Sequence, residues 1–197
     1  MRTLRVMWDL AGRALMLAAA CTAMVACGGG GGGNNSGPSF RCTDSAPNSD
    51  VVVLLCGQRT SSDVWTIEVV IGGPTTSNDI EGFDLDVVFD PADLSYVPGS
   101  ATLGTLLSQD GDDPLLAANL ANNDPGRLIV GVHRTNQPHG VQGDGAENLI
   151  LTFSMRANML SDFGPILLQF QNAEAVDSLG TPIGGISFSD QLLLSVK

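Results

Sequence analysis

The chain contains 197 residues, a length that corresponds to one domain with accessory segments. Its 21 acidic residues outnumber its 9 basic residues and give a formal net charge of −12 at pH 7. Such a surface repels phosphate groups and anionic lipid head groups. We therefore do not expect the chain to bind nucleic acids or to bind a membrane surface directly.

The amino terminus has the composition of a secretory signal. Arg2, Arg5 and Arg13 precede the apolar run ALMLAAACTAMVA at residues 14–26. Since roughly 20 apolar residues are needed to cross a bilayer, this run is too short for a membrane span and fits the apolar region of a signal peptide. We therefore expect residues 1–26 to be removed on export.

The end of this run resembles the lipobox of bacterial lipoproteins, because MVAC ends at Cys27 and a polyglycine tract follows. The resemblance implies cleavage before Cys27, a lipid on its thiol, and an extracytoplasmic protein held at a membrane by that lipid only. For a Gram-negative source, the glycine after Cys27 implies sorting to the outer membrane. A competing box, AAAC at Cys21, and an ordinary soluble secreted protein are the alternatives.

A flexible linker separates this expected anchor from the rest of the chain. Residues 27–39 consist of Cys27 and GGGGGGNNSGPS, whose composition is that of a flexible coil with a reach of about 20 Å. Residues 40–197 are then long enough to form one domain with its own core.

The number of cysteines supports the same cleavage site. With Cys21 removed and Cys27 lipidated, Cys42 and Cys56 are the remaining pair. An even number is expected in an oxidising compartment, which predicts a Cys42–Cys56 disulfide worth about 3 kcal/mol in the chain-entropy description. Two unpaired thiols are the alternative. A metal site at Cys42 and Cys56 has less support than either, because no further ligands stand at zinc-like spacing.

The domain shows a hydrophobic period of two, which indicates β-strands. Strands are predicted at residues 50–56, 63–71, 82–89, 127–135, 148–157, 166–172 and 186–196, and a further strand after the turn at 91–93. The segments between them are rich in Gly, Pro, Asn and Asp, which is typical of turns. About nine short strands without a convincing helix predict an all-β fold, a two-sheet sandwich.

Alternation assigns the faces of these strands. The residues predicted to face the core are Trp65, Ile67, Val69, Ile71, Phe83, Leu85, Val87, Phe89, Leu149, Leu151, Phe153, Met155, Phe188, Leu192 and Leu194. Asp84 and Asp86 then share the opposite face of their strand, and Glu68, which points outward from the preceding strand, is expected to share this acidic face. With Asp90, three aspartates fall within seven residues, more than a solvent face requires. This acidic face is a candidate binding surface.

Four further segments occur in a characteristic order: IEGFDLDVVFDPADLSYVPGS (80–100), GRLIVGVHRT (126–135), GAENLILTFSMRA (145–157) and AVDSLGTPI (175–183). Together they resemble the cohesin family, the β-sandwich modules that receive dockerin domains in cellulosomes. The resemblance spans roughly residues 50–197. It implies a jelly-roll sandwich of about nine strands, related in fold to some carbohydrate-binding modules.

The same resemblance implies where a partner binds. In cohesins of the first type, dockerin lies across one sheet and contacts an Asn-x-Asp motif; Asp84 matches the aspartate, whereas Gly82 stands in place of the asparagine. The residues expected to contact a dockerin-like partner are Asp84, Asp86, Glu68, His133 and Asn136. The alternative is that the acidic residues only keep an exposed sheet soluble.

A carbohydrate-binding module is the alternative function, with a polysaccharide as ligand. Sugar-binding platforms present several exposed aromatic rings, but beyond the signal the chain contains one tryptophan, Trp65, and one tyrosine, Tyr96. Tyr96, if exposed, is the candidate carbohydrate-binding residue.

No catalytic, cofactor-binding or metal-binding motif stands out. Asp84 and Asp86 neighbour each other on one strand face, whereas glycosidase carboxylates face each other across a cleft. His133 and His139 lack a nucleophile motif, and DGDDP at 110–114 lacks the ligand spacing of an EF-hand. The chain is therefore expected to be a binding protein and not an enzyme, with no cofactor.

Overall fold

The computed structural model of the chain describes residues 40–135, 138–158, 163–189 and 192–196, which contain β-strands and no α-helix. The strands are β1 (Phe40–Thr43), β2 (Val51–Arg59), β3 (Val64–Gly72), β4 (Gly82–Val88), β5 (Leu94–Tyr96), β6 (Thr102–Leu103), β7 (Leu115–Ala121), β8 (Asp124–His133), β9 (Glu147–Ala157), β10 (Phe163–Leu167), β11 (Gln169–Val176), β12 (Ser187–Ser189) and β13 (Leu193–Val196). The predicted all-β fold is confirmed. The strands outnumber the prediction because the sequence misses β1, β6 and β7 and because the predicted strands 166–172 and 186–196 are each divided into two in the structure.

These strands form three hydrogen-bonded sheets. A four-stranded sheet has the order β11-β4-β8-β7. A six-stranded sheet has the order β12-β2-β3-β9-β5, with β6 also paired to β9, and a three-stranded sheet has the order β1-β13-β10. The pairings are antiparallel except that of β12 with β2. Within the described residues, no helix is long and apolar enough to cross a membrane.

One large core cluster connects the inner faces of the three sheets. It joins Ile67 and Phe153 of the six-stranded sheet to Phe83 and Val130 of the four-stranded sheet and to Leu194 of the three-stranded sheet. All five side chains are fully buried. Each contributes about 1.5–3 kcal/mol relative to an exposed position. Because the apolar faces predicted from alternation meet in this cluster, the polar faces of the strands point away from it.

One irregularity moves a predicted core residue to the other side of its strand. The register of β3 and β9 shifts so that Val69 pairs with Leu151 and Val70 with Leu149. Leu149 consequently packs with Val70 in a small second cluster, and Ile150 takes the core position. The prediction that Leu149 faces the main core is therefore wrong. The other residues predicted to face the core pack in it or against it.

The first strand is joined to the rest of the domain by three kinds of contact. β1 pairs antiparallel with β13, so that Phe40 lies opposite Val196. Phe40 is fully buried, and its carbonyl oxygen accepts a hydrogen bond of 2.9 Å from Nε1 of Trp65. A disulfide joins Cys42 of β1 to Cys56 of β2, with the two Cα atoms 5.8 Å apart. The predicted disulfide is thus present in the structure.

The sequence does not predict β7. Its residues LLAANLA are mainly leucine and alanine, which are good helix formers, and apolar side chains do not alternate with polar ones. In the structure β7 pairs along its length with β8, and a short turn at residues 122–123 connects the two strands. This hairpin supplies half of the candidate site. Alternation also misses the short strands β1 and β6.

Candidate protein-binding face

The outward side of the four-stranded sheet carries the aspartates singled out in the sequence. Phe83, Leu85 and Val87 are buried in the core, so Asp84 and Asp86 point outward between them. The strand register places residues of the other three strands on the same side. This surface, the outer face, comprises Gln171 and Glu174 on β11, Asp84 and Asp86 on β4, Ile129, Gly131 and His133 on β8, and Leu115, Ala117 and Asn119 on β7.

Asp84 is paired with His133 across the two central strands of this sheet. Nε2 of the His133 imidazole lies 3.1 Å from Oδ1 of Asp84. The His133 side chain is 41% exposed and the Asp84 side chain 49% exposed. The pair therefore holds a carboxylate in one orientation while leaving both groups open to solvent or to a partner.

The absence of a side chain at Gly82 is explained by the same histidine. Gly82 lies directly opposite His133 in the strand register. A Cβ atom on Gly82 would collide with the imidazole of His133 and would lie 2.7 Å from the carbonyl oxygen of Val132. The imidazole thus occupies the space where a residue at position 82 would place its side chain. An asparagine at position 82 is incompatible with this arrangement.

Asp86 is held more tightly than Asp84. Nδ2 of Asn172 donates a 3.1 Å hydrogen bond to Oδ2 of Asp86, and Nη1 of Arg127 lies 3.7 Å from the same oxygen. Only 14% of the Asp86 side chain is exposed. Arg127 also contacts Asp124 through Nε, at 3.2 Å. Much of the charge of Asp86 is therefore compensated within the domain, and Asp84 is the more accessible carboxylate.

Beside these carboxylates the outer face is apolar. Ile129 is 49% exposed and Leu115 is 70% exposed. Ala117, also exposed, lies on β7 next to Leu115 in the outward-facing series. Single exposed aliphatic residues are common, but these three share one face of one sheet. The outer face consequently has an acidic half on β11 and β4 and, on β8 and β7, a half that is apolar apart from His133 and Asn119 and is called the apolar half.

Two predicted contact residues do not join this group. Glu68 lies on β3, opposite Leu55 and Thr152 in the six-stranded sheet, and points away from the core on that sheet. The prediction that Glu68 shares a face with Asp84 is therefore wrong, because the two strands belong to different sheets. Asn136 lies outside the described residues. Asp84, Asp86 and His133 are brought together, and their role as partner contacts stays a prediction.

The proposed sugar-stacking residue is buried. Tyr96 is only 6% exposed and packs in the main core. Its hydroxyl group has no hydrogen-bond partner among the described residues. The exposed large hydrophobic residues in the described part of the chain, including Leu115, Ile129 and Leu179, are aliphatic. The assignment of Tyr96 as a carbohydrate-binding residue is therefore wrong.

Replacing Tyr96 with phenylalanine is expected to leave the free energy of unfolding unchanged or to raise it by about 1 kcal/mol. A buried hydroxyl group without a hydrogen bond costs about 1–3 kcal/mol, and phenylalanine keeps the ring in the core. Urea unfolding of Tyr96→Phe and of the unaltered protein measures the difference. Retention on insoluble polysaccharides should not differ between the two. A clear loss of stability would show that the hydroxyl group is hydrogen-bonded.

The acidic turn at residues 110–113 is built around Arg134, which follows β8. The side chain of Arg134 is completely buried. Its Nη1 donates to Oδ1 of Asp110 at 3.0 Å and to the carbonyl oxygen of Leu107 at 2.7 Å, and its Nη2 donates to Oδ2 of Asp110 at 2.6 Å. Bidentate pairing of this kind fixes both groups in one geometry. The turn is therefore attached to the end of the four-stranded sheet.

Two further carboxylates adjoin the guanidinium. Oε2 of Glu81 lies 3.7 Å from Nε of Arg134, and the nearly buried Asp112 accepts a 3.0 Å hydrogen bond from the backbone N–H of Thr135. Arg134, Asp110, Glu81 and Asp112 are called the Arg134 cluster. The described residues contain no group of three side chains placed to hold a metal ion. Two carboxylates of the DGDDP turn, those of Asp110 and Asp112, belong to this cluster.

The pKa directions in the Arg134 cluster show which acid pairs with the guanidinium. The hydrogen bonds from Arg134 lower the pKa of Asp110, and the same contact raises the pKa of Arg134. Burial raises the pKa of Glu81, although Arg134 opposes this change. Asp110 is thus the principal counter-charge, and Glu81 occupies a site that disfavours its ionised form.

A small cavity of about 270 Å³ lies elsewhere, lined by Asn78, Asp79 and His139. Oδ1 of Asp79 accepts a 2.6 Å hydrogen bond from the backbone N–H of Gly140, and Oδ2 accepts one of 2.8 Å from the hydroxyl group of Ser178. These hydrogen bonds lower the pKa of Asp79. The carboxylate therefore joins two loops, and its contacts are structural.

No protein-family model and no curated protein sequence matches the chain. Solved structures do match it. A type I cohesin–dockerin complex from Clostridium thermocellum aligns at 12% identity with a TM-score of 0.53, covering 77% of this chain and 96% of the matched chain. The sixth cohesin of scaffoldin B from Acetivibrio cellulolyticus, in complex with a dockerin, aligns at 13% identity with a TM-score of 0.51, covering 72% and 94%.

A third similar structure is a non-cellulosomal cohesin from the hyperthermophilic archaeon Archaeoglobus fulgidus. It aligns at 12% identity with a TM-score of 0.50, covering 70% of this chain and 85% of the matched chain. The domain has the cohesin fold. The fold implied by the four sequence segments is therefore confirmed. At this level of identity the likeness concerns the fold alone.

Proposed function

We propose that the cohesin-fold domain is a non-catalytic docking module that binds a dockerin-like protein across its outer face. Two of the similar structures, from Clostridium thermocellum and Acetivibrio cellulolyticus, are complexes of a cohesin with a dockerin. The observation that carries the proposal is the outer face, where exposed Asp84 and Glu174 lie beside exposed Ile129 and Leu115 on one sheet. A sheet of paired strands presents such groups with little backbone change on binding.

The outer face defines the chemistry of this partner. Apolar side chains are needed to cover Leu115, Ala117 and Ile129, since the buried centre of an interface is depleted in charge. Lysine or arginine side chains are needed opposite Asp84 and Glu174, because complementary charge sets the orientation and the association rate. A dockerin-like partner with one apolar and one basic side on its helices meets both requirements. Any calcium requirement would reside in that partner.

We further propose that the domain acts outside the cytoplasm, held at a membrane by a lipid on Cys27, in a system that degrades polysaccharides. The support comes from the sequence pattern of residues 1–39, which lie outside the described residues, and from the Cys42–Cys56 disulfide. Disulfides persist in oxidising compartments and are rare in the cytosol. For a Gram-negative source, the proposed location is the outer membrane.

A capture experiment tests the docking function. The soluble fragment 34–197 is immobilised and exposed to an extract of the source organism and, separately, to insoluble polysaccharides. Both experiments are run with calcium and with a chelator, and the retained material is identified by mass spectrometry. We expect retention of a protein that contains a dockerin-like segment, with calcium only. Retention by polysaccharide regardless of chelator would contradict the proposal and favour a carbohydrate-binding module.

Replacing Asp84 with lysine is expected to weaken capture of the retained partner at least about tenfold, which corresponds to about 1.4 kcal/mol. The substitution reverses the accessible charge of the outer face. The free energy of unfolding should change by less than about 0.5 kcal/mol, since the side chain is half exposed. Calorimetric titration measures the affinity, and urea unfolding measures the stability.

Glu68→Lys is the matched control for this substitution. It makes the same change in net charge, but on the six-stranded sheet and away from the outer face. We expect this variant to bind like the unaltered protein. Equal weakening by both substitutions would mean that net charge, and not the outer face, attracts the partner.

A further inference from the structure

The open strand edges of this domain differ in how well they are protected from pairing with another strand. β5 and β6 have three and two residues, and β12 has three. β10 contains Pro165, which cannot donate a backbone hydrogen bond. β11 carries Glu174 and a register irregularity at Asn172, and β1 has four residues that include Arg41. Short length, proline, charge and bulges are the features by which natural sheets prevent edge-to-edge association.

β7 lacks these features. It has seven residues, none of them charged and none of them proline, and its register is irregular only at the last residue, Ala121. Among the described strands it pairs with β8 alone, so its other edge is open. Leu115 and Leu120 on this strand are 70% and 37% exposed. A long, uncharged edge with exposed leucines is suited to pairing with another strand.

We propose that β7 pairs antiparallel with β7 of a second copy of this chain, about a twofold axis at Ala118. The sequence is self-complementary in this register. Leu116 lies opposite Leu120 of the other copy on the core side, and small residues, Ala117 and Asn119, lie opposite each other on the outer side. Cross-strand apolar pairs of this kind contribute about 0.2–1 kcal/mol each. A closed twofold dimer results, because each β7 has one free edge.

The charges that flank β7 determine how the association depends on salt. The strand is preceded by Asp112 and Asp113 and followed by Asp124, and the chain has a net charge of −12. Antiparallel pairing brings the acidic end of one β7 towards the acidic end of the other. Because salt screens this repulsion, dimerisation strengthens as the salt concentration rises. Binding of a basic partner to the outer face has the opposite salt dependence, so the two interactions are distinguishable.

The dimer joins the two four-stranded sheets into one continuous sheet. Pairing uses the edge of β7 and leaves the side chains of Asp84, His133 and Ile129 uncovered. Both outer faces then lie on the same side of the joined sheet, because Ala117 and Asn119 of each copy point to that side. The contact is small, so a weak and reversible dimer is expected.

Sedimentation equilibrium of fragment 34–197, which lacks the apolar run, Cys21 and Cys27, tests the proposal. The average mass should rise from that of the monomer towards that of the dimer with protein concentration, and more steeply at high salt. The Ala117→Lys/Asn119→Lys variant should remain monomeric, because lysines on an edge oppose pairing. A monomer at every concentration and salt, or an unchanged dimer in this variant, would overturn the proposal.

The matched control is Gln169→Lys/Gln171→Lys. It makes the same charge change on exposed residues of β11, at the opposite edge of the same sheet. This variant should dimerise at least as well as the unaltered chain, since its net charge is less negative. Loss of dimer in the control as well would assign the effect to charge and contradict pairing at β7. Thermal unfolding of both variants verifies that they are folded.

Cross-linking tests the register independently. In fragment 34–197, whose own two cysteines are paired, an equimolar mixture of Ala117→Cys and Asn119→Cys variants should form a disulfide-linked dimer under mild oxidation, since residues 117 and 119 lie opposite each other about the axis. Each variant alone should cross-link more slowly. Equal cross-linking of the mixture and of the separate variants would contradict this register.

Discussion

Replacing Arg134 with methionine is expected to lower the free energy of unfolding by about 3 kcal/mol. The side chain of Arg134 is completely buried, and its removal leaves Glu81 and Asp112 without their positive neighbour. Breaking a buried ion pair by removing one partner typically costs 3–5 kcal/mol, because the remaining charge is uncompensated. We expect the lower value of this range, about 3 kcal/mol, because Asp110 is 46% exposed and can be hydrated. The midpoint and slope of urea unfolding measure the change.

Arg127→Met, on the strand that immediately precedes Arg134, is the matched control. Arg127 is 34% exposed and pairs with Asp124 at 3.2 Å and with Asp86 at 3.7 Å. Ion pairs with this exposure contribute about 0–1 kcal/mol. The two arginines should therefore differ by about 2 kcal/mol or more. Equal losses in the two variants would show that the Arg134 cluster is open to water and contributes no more than a surface pair.

Loss of the Cys42–Cys56 disulfide is expected to lower the free energy of unfolding by about 3 kcal/mol, comparable to the effect of Arg134. The bond closes a loop with a sequence separation of 14 residues, and a loop of this size restricts the unfolded chain by about that amount. The Cys42→Ala/Cys56→Ala variant of fragment 34–197 provides the comparison, because that fragment contains no other cysteine. Urea unfolding of both forms, with and without reductant, measures the difference.

Reductant should destabilise the unaltered fragment to the level of the double variant and should not affect the variant itself. β1 is also held by the burial of Phe40, by its hydrogen bond with Trp65 and by pairing with β13. If these contacts suffice, the double variant will unfold at the same urea concentration as the oxidised protein. That result would contradict the prediction.

Alternation of side chains predicts much of this fold, because it depends only on local sequence. Phe83, Leu85 and Val87 face the core and Asp84 faces out, as their spacing requires. The burial of Tyr96 was accessible from the same pattern, since Leu94 and Tyr96 are buried on either side of the less buried Ser95. The carbohydrate-binding hypothesis rests on the number of aromatic residues, whereas the alternation of Leu94, Ser95 and Tyr96 bears on whether the tyrosine is exposed.

Local sequence patterns do not predict two features of the site. Which sheet a strand joins depends on long-range pairing, and Glu68 was grouped with Asp84 although β3 and β4 belong to different sheets. The apolar half of the outer face was missed because β7 is composed of leucine and alanine, whose intrinsic preference is helical. Tertiary pairing with β8 overrides that preference.

The disulfide lies close to the start of the domain, where a pulling force on the amino-terminal side would enter the fold. A chain held from its amino-terminal side and pulled by a protein on its outer face would transmit tension into the domain at Phe40. Cys42 follows two residues later and is covalently bonded to Cys56 in β2. The pairing of Phe40 and Arg41 with β13 would bear the force first, and beyond them the force would pass through a covalent bond into the six-stranded sheet. Detachment of the terminal strand under load would therefore stop at Cys42.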